Sequence, residues 1–491
     1  MNTVLIRHWG GATIVAGMLV GVIALSGCGA TAQESTVAEA GASASTTQSV
    51  ATANAAEPEE GDIATNDTLE NSADGGHAIE ADGIEAAYTN VAVNKTGEAD
   101  GDEADFYGEN AAIFATNKAT LDLRELVVKT SGTHANAVFS YGEGTTVNVS
   151  DTVIETSGNC SGGLMTTGGG TMNASNLNIH TTGNSSAAIR SDRGGGTVNV
   201  DGGSYTTDGT GSPVIYSTAD ITVANADLTS TASQGVVVEG KNSVTLNDAT
   251  LTASNTTKNG DKSDWYQAVM IYQSMSGDAA EGASSFTMNG GSLTNKNGDV
   301  FFVNNTVTTI SLDGATITNE DADGVFLRAA AAGWGNEGSN GGQVTLKAAH
   351  QQIDGDMLVD KVSNLNLYLS DGSTFTGAMN PDGAAGEVYV EIVDGSTWTL
   401  TGDSYITSLT CGADAIDLNG HTLYVNGKAY EAGSASTGEA IEVTVSETAQ
   451  GGPGGTPPDG AAGGSGGTPP DGAPGGTPPA KPDGAPGKRE G

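Results

Sequence analysis

One unit recurs through the middle of this chain, and it constrains the fold more than any single motif does. Between Ala111 and Leu346 the same three pieces return about every 22 to 26 residues, with two longer intervals. They are a short apolar run, a Val-x-Val strand led by Thr or Gly, and an apolar residue followed by Thr and a small polar turn. The third piece shows the period best: Val128, Ile154, Ile179, Tyr205, Leu228, Leu251, Leu293 and Ile317 lie 26, 25, 26, 23, 23, 42 and 24 residues apart. In the second piece Val147, Val149, Val198, Val200, Val244, Leu246, Ile310 and Leu312 alternate with Asn148, Asn199, Thr245 and Ser311. Such alternation puts aliphatic side chains on one face of a strand and small polar ones on the other.

One half-apolar strand cannot bury its face alone. Three per copy can, if the chain coils so that like strands stack about 4.8 Å apart. No long window after the N-terminal segment has a helical period, and the leucine-rich frame L-x-x-L-x-L-x-x-N is absent. The expected fold is all-β: a right-handed parallel β-helix, a pectin-lyase-like solenoid of about ten or more coils over residues 76–447, looser from about 357. The first piece is ambiguous. Ile113-Phe114, Val138-Phe139, Leu164-Met165, Val214-Ile215, Val269-Met270, Phe301-Phe302 and Val325-Phe326 set two apolar residues side by side. Either a bend turns both inward, or the rod carries an exposed apolar stripe, which is an aggregation liability.

The N-terminus has targeting character. Arg7 and His8 precede an apolar stretch from Ala12 to Leu25, and Leu25-Ser26-Gly27-Cys28 follows. This resembles the bacterial lipoprotein signal and its lipobox. The resemblance implies removal of residues 1–27, a diacylglycerol on Cys28, and an extracytoplasmic chain held at the membrane. Residues 28–75 are Ala/Thr/Ser/Glu-rich and are expected to be a disordered tether. Residues 448–491 hold ten of the thirteen prolines, in repeats such as Thr456-Pro457-Pro458-Asp459-Gly460, and are expected to be extended and coreless.

Without residues 1–27 the chain keeps 17 basic and 59 acidic residues. That excess excludes a nucleic-acid partner, which needs clustered Lys and Arg against phosphates, and it argues against an acidic polysaccharide. The densest acidic run is Glu98, Asp100, Asp102, Glu103 and Asp105. It lacks the alternating ligands, central Gly and closing Glu of a calcium loop. Cys160 and Cys411 lie many coils apart, too far to bridge each other, and are expected to be buried small residues.

Ser396-Thr397-Trp398-Thr399-Leu400-Thr401-Gly402-Asp403-Ser404, with Ile406, Leu409 and Leu418-Asn419-Gly420-His421-Thr422-Leu423, resembles the late coils of autotransporter-type adhesin passengers. Those passengers are β-helical surface proteins, many of them adhesive. The chain as a whole resembles adhesin-like β-helix surface lipoproteins of bacteria, and the lipobox stands where that family uses an outer-membrane barrel. Secretion by that route is not implied.

Parallel β-helices also carry polysaccharide lyases and polygalacturonases. The lyase pattern Arg-x-Pro-x-x-Arg and the Asn-Thr-Asp, Asp-Asp and Gly-His-Gly elements of polygalacturonases are absent. Arg190 and Arg193 beside Asp192 form the one close basic pair, expected to be an exposed, locally paired turn. His134, His180, His350 and His421 lack metal-ligand spacing. No catalytic residue, metal site or cofactor is assigned. The Thr column of the third piece is shared with ice-binding solenoids, but Lys129, Glu155 and His180 interrupt it.

Insertions are more informative. The long interval from Leu251 to Leu293 holds two, at residues 255–266 and 274–283, and a third follows at 329–342. The second and third should leave one corner of the rod as two walls around a low coil at Asn304-Asn305. Trp265, Tyr266, Tyr272 and Trp334 accompany them. Aromatic faces beside amide side chains suit a neutral sugar or a peptide, or anchor the loops to the rod. The expected function is adhesion or ligand binding by a surface-displayed rod, to a neutral glycan or a surface protein. A carbohydrate-active enzyme and a purely structural envelope protein are the alternatives.

Overall fold

The computed structural model describes residues 57–443, apart from 257, 259–261 and 384–385. Cys28 and most of both flanking segments lie outside the described residues. Within them the chain is a parallel β-helix. The third-piece column is in register through every coil: Val128 faces Ile154, then Ile179, Tyr205, Leu228, Leu251, Leu293 and Ile317. All but the half-buried Ile317 are buried. The second piece stacks likewise, thirteen strands in succession from Glu85–Thr89 to Ser408–Cys411. Second and third pieces merge into a 21-stranded sheet, and first pieces form an 11-stranded one.

The coils begin earlier than expected, with a strand at Asp67–Asn71 paired to Val91–Lys95. Its Asp-Thr-Leu-Glu-Asn sequence has one large apolar residue and gives almost no alternation signal. From Gln352 onward a four-stranded and a three-stranded sheet take over parts of the rod, which is why the period loosens there.

The turns after the third piece carry a device the strand pattern hides. Thr156, Thr181 and Thr207 each donate a side-chain hydrogen bond to the carbonyl five residues on, at 2.6, 2.6 and 2.7 Å. Those carbonyls belong to Ser161, Ser186 and Ser212. Each of these serines in turn donates its hydroxyl to a glycine carbonyl of the preceding coil: Gly132, Gly158 and Gly183. The glycines stack so closely that a Cβ on Gly183 would sit 1.9 Å from the Gly158 oxygen. The chain therefore repeats Thr-x-Gly-x-x-Ser because hydroxyls satisfy the buried turn carbonyls and only glycine fits beneath them.

Both ends are strapped. Lys95 is fully buried and plugs the first coil, donating to Asn71 Oδ1 at 3.1 Å and the Ala73 carbonyl at 2.6 Å. Residues 57–62 run along the outside against the coil order. Asn178 donates to the Pro58 carbonyl, and two coils earlier Lys129 meets Glu60 at 2.8 Å. At the other end residues 436–441 turn back along the rod, bonding Cys411, Thr410, Ser408 and Asn366 in turn.

Gly183→Ala should lower stability by about 1–3 kcal/mol or more, because the new methyl meets backbone rather than a movable side chain. Gly412→Ala, with nothing within 4 Å of the added carbon, should change it little. Denaturant midpoints of the two variants check this, and equal midpoints would remove the packing role of the glycine column.

Candidate functional site

The paired apolar residues of the first piece resolve in a third way. The first of each pair points into the core and the second points out, but the outward stripe is neither bent inward nor exposed. It is roofed. Phe114, Phe139 and Met165 lie buried with Ala111 and the edge of Tyr141. Val237, Met270 and Phe302 lie buried with Tyr216, Tyr272, Ala330 and Trp334. At two coils the sequence pairing is out of step: Ile215 and Leu327 point inward, so Tyr216 and Arg328 take the outward places.

The roof comes from the insertions. A short helix α1 (Asp102–Tyr107), formed by the dense acidic run, spans one part. The loops at 274–283 and 329–342 span the other. Trp334 packs edge-on against Tyr272, ring centroids 5.1 Å apart, and Trp265 lies 5.5 Å from Phe302 beneath the Arg328 guanidinium. Asn304 donates to the carbonyls of Ala330 and Asn340 at 2.9 and 2.8 Å, and Asn305 to that of Gln273 at 2.8 Å. So the structure does gather Trp265, Tyr272, Asn304, Asn305 and Trp334, while Tyr266 stays half-buried beside Lys258. The expected open groove is filled by these rings: Tyr272 and Trp334 are 1% and 3% exposed. Covering the stripe consumes the aromatic faces that would otherwise meet a ligand.

Between the two apolar patches the outward column turns polar. Arg190 and Asp192 are 4% and 1% exposed, not an exposed turn. Arg190 donates to Asp192 at 2.8 Å and to Asp105 of α1 at 3.0 Å. Arg193 donates to Asp278 of the second loop at 2.6 Å and to Asp102 of α1 at 2.8 Å, with its guanidinium 3.7 Å over the Phe106 ring. Two arginines thus tie two covers that lie far apart in sequence. Burial pushes the Asp105 carboxyl up, but Arg190 and His134 together outweigh it and hold it at about 2. Burial, reinforced by Asp278 and Asp105, pushes Asp192 up to about 7 despite Arg190. Further along, Glu239 accepts from the hydroxyls of Tyr216 and Tyr272, and burial raises its carboxyl.

His134 and Cys160 hold the same left-handed turn position in successive coils, φ 56° and 54°. With Asp105 they bring one donor atom each within 4.8 Å of one another, all buried. The cluster does not suit a metal. The guanidinium of Arg190 already holds the Asp105 oxygen and would face any cation placed there, and Cys160 is already engaged. Cys411 is a buried free thiol. The nearest approach to paired catalytic groups, the Arg and Asp side chains under α1, is closed to solvent. Beside Trp265, Arg328 is held by Asp299 at 2.6 Å, and the other Asp299 oxygen accepts the Val325 amide.

The open faces are different. Outward Asn148, Asn173 and Asn199 stack in consecutive coils and link side chain to side chain, at 2.9 Å per rung, down to Asp122 at 2.7 Å. A groove of about 500 Å³ lies over this ladder. A second, of about 550 Å³, runs past Asn94 and past Lys129, Glu155 and His180, the residues that interrupt the Thr column. There Lys129 bridges Glu60 and Glu155, and His180 meets Asp208 at 2.7 Å. The amide ladder is legible in the sequence, since Asn148, Asn173 and Asn199 sit at matching places in three successive copies; the grooves are not.

No family model matches the chain, and no curated protein does. Among solved structures it is similar to a chain in the cryo-EM structure of the Vag8–C1 inhibitor complex, at 16% identity and a TM-score of 0.48, over 72% of this chain and 79% of that one. That likeness concerns the fold, which the strand pairings establish independently.

Arg193→Ala should free both covers at a cost of about 1–3 kcal/mol, since it strands the buried Asp278 carboxylate while Arg193 itself is partly solvated. New protease cleavage within 97–111 or 274–283 is the readout, and an unchanged digestion pattern would count against the clasp. Because Arg190 and His134 hold the Asp105 carboxyl at about 2, the stability this gives is complete above pH about 4 and lost as pH falls toward 2. Hydrogen-exchange protection of α1 should fall across that window, and Asp105→Asn should reduce the pH dependence to what the Asp102–Arg193 pair contributes.

Proposed function

We propose that this chain is a bacterial surface lipoprotein whose rod is displayed for binding. A lipid on Cys28 holds it at the membrane, and the rod presents its outer faces to a neutral glycan or a surface protein. One observation carries the reading. Arg190, Asp192 and Asp105 are closed under the covers and spent on one another, and Glu239 is closed there on tyrosine hydroxyls. The exposed Lys129, Glu155 and His180 are held in ion pairs, and one open face carries an amide ladder with a groove over it. An enzyme acting on polysaccharide needs its acid and base in reach of substrate. A display rod needs a long, soluble, patterned surface, and covering the apolar stripe supplies one.

Membrane fractionation of cells expressing the wild-type chain and Cys28→Ser tests the anchor: the variant should move to the soluble extracytoplasmic fraction, and retention at the membrane would overturn it. For the binding role, purified protein lacking residues 1–27 should bind cells or an arrayed glycan without shortening it. Steady release of smaller sugars would transfer the case to an enzyme, and no binding to either surface would reject display for adhesion.

A further inference from the structure

The groove over the Asn ladder has a chemistry narrow enough to name an occupant. A carboxamide offers two N–H donors and an oxygen with two lone pairs. In Asn148 and Asn173 one donor and one acceptor site are spent along the ladder. One of each remains per residue, repeating at the coil spacing of about 4.8 Å. The floor is uncharged apart from Asp122 at the foot of the ladder, which accepts from Asn148 at 2.7 Å. At the rim Arg124 is ion-paired, 2.9 Å from Glu125 and 3.7 Å from Asp151, and Asp201 is hydrogen-bonded by the Asn225 amide at 2.7 Å.

Several ligand classes fail against this surface. The stacked strands present a face here rather than an edge, so a peptide cannot add itself as a further strand. No aromatic side chain lines the groove, so a proline-rich helix lacks the walls it docks between. An anionic polymer would meet a chain of net charge −41 with one rim arginine, itself paired. A hydroxyl, by contrast, donates and accepts at once. A chain of sugars laid along the rod meets a free donor and a free acceptor at each step, and the coil spacing is close to the length of one sugar in an extended chain. The volume falls in the range of ordinary small-ligand sites.

We propose that this groove binds a linear, uncharged oligosaccharide running parallel to the rod axis, with Asn148, Asn173 and Asn199 as successive subsites. The proposal rests on the binding role above and gives it a place and a ligand class.

Calorimetry on the purified chain tests it, with short linear cello-, chito- and malto-oligosaccharides as probes and oligogalacturonate as the anionic comparison. At least one neutral series should bind, more tightly as it lengthens to span the rungs. Asn173→Arg, which fills the groove, should weaken binding by about tenfold or more. Asn289→Arg, on a separate rung beyond the groove where Asn289 donates to Asn247 at 2.8 Å, should not. Ser175→Arg, exposed at the rim, gives the same block without touching the ladder if Asn173→Arg fails to fold. Neutral binding that survives both groove variants, or binding of the anionic series alone, overturns the assignment. Absence of all oligosaccharide binding, with attachment to cells or proteins intact, overturns the groove and leaves the display role standing. Loss of every interaction rejects both.

Discussion

Backbone hydrogen bonding along the rod axis is the constraint on which everything else depends. Each strand satisfies its N–H and C=O groups with the coils above and below it. Coil spacing is therefore fixed, and every side chain lies on the side chain in the same place one coil away. Like stacks on like, and residue types divide by how well they tolerate that. Aliphatic residues form continuous inner columns, from Val128 to Leu293. Carboxamides pair head to tail, as Asn148, Asn173 and Asn199 do. Glycines let turn carbonyls approach where no Cβ fits. Like charges do not stack well, and where charged residues do stack, as Lys129 and Glu155 do, they are of opposite sign.

The same rule makes the outward stripe a liability and explains the covers. A row of Phe, Met and Tyr on an outer face cannot be dispersed, because the register keeps it in line. Burying it requires chain from outside the coil, and chain that leaves the coil has no ladder to hold it. α1 and the 274–283 loop are therefore held largely by side chains: two arginines and four carboxylates. The concentration of buried charge at Arg190 and Arg193 is the counterpart of sparse backbone pairing there, such as the single Lys241 N–H to Ala280 carbonyl bond at 2.9 Å.

What could be read from the sequence follows that division. The inner column repeats at a fixed interval, so the stacking of Val128 through Ile317 and the outward place of Asn148 and Asn199 are legible from spacing alone. The Thr-x-Gly-x-x-Ser turn was equally periodic, though hidden among residues that any turn would contain. The covers left no such trace. Asp105 meets Arg190 across 85 residues, and Asp278 meets Arg193 across the same separation in the other direction; neither contact recurs. Trp334 and Tyr272 were recognised as belonging together. Whether they faced a ligand or the rod depended on the stripe beneath them, and its outward members at Tyr216 and Arg328 were masked by a shift of register.

The strap at residues 57–62 has a mechanical consequence. It runs backwards, so that Pro58 lies two coils deeper into the rod than Glu60. A pull transmitted to Glu57 away from the surface acts first on the outermost contact, the single hydrogen bond from Asn178, and next on the solvated Lys129–Glu60 pair. These contacts fail one at a time, like tape lifted from its end, and each failure pays out slack before load reaches the strand at Asp67–Asn71. That strand is bonded to Val91–Lys95 along its whole length, and the Lys95 ammonium holds its last residue, Asn71, so it resists more strongly than the strap does. A brief tug is absorbed by reversible peeling at the strap, and the stacked coils experience only what remains.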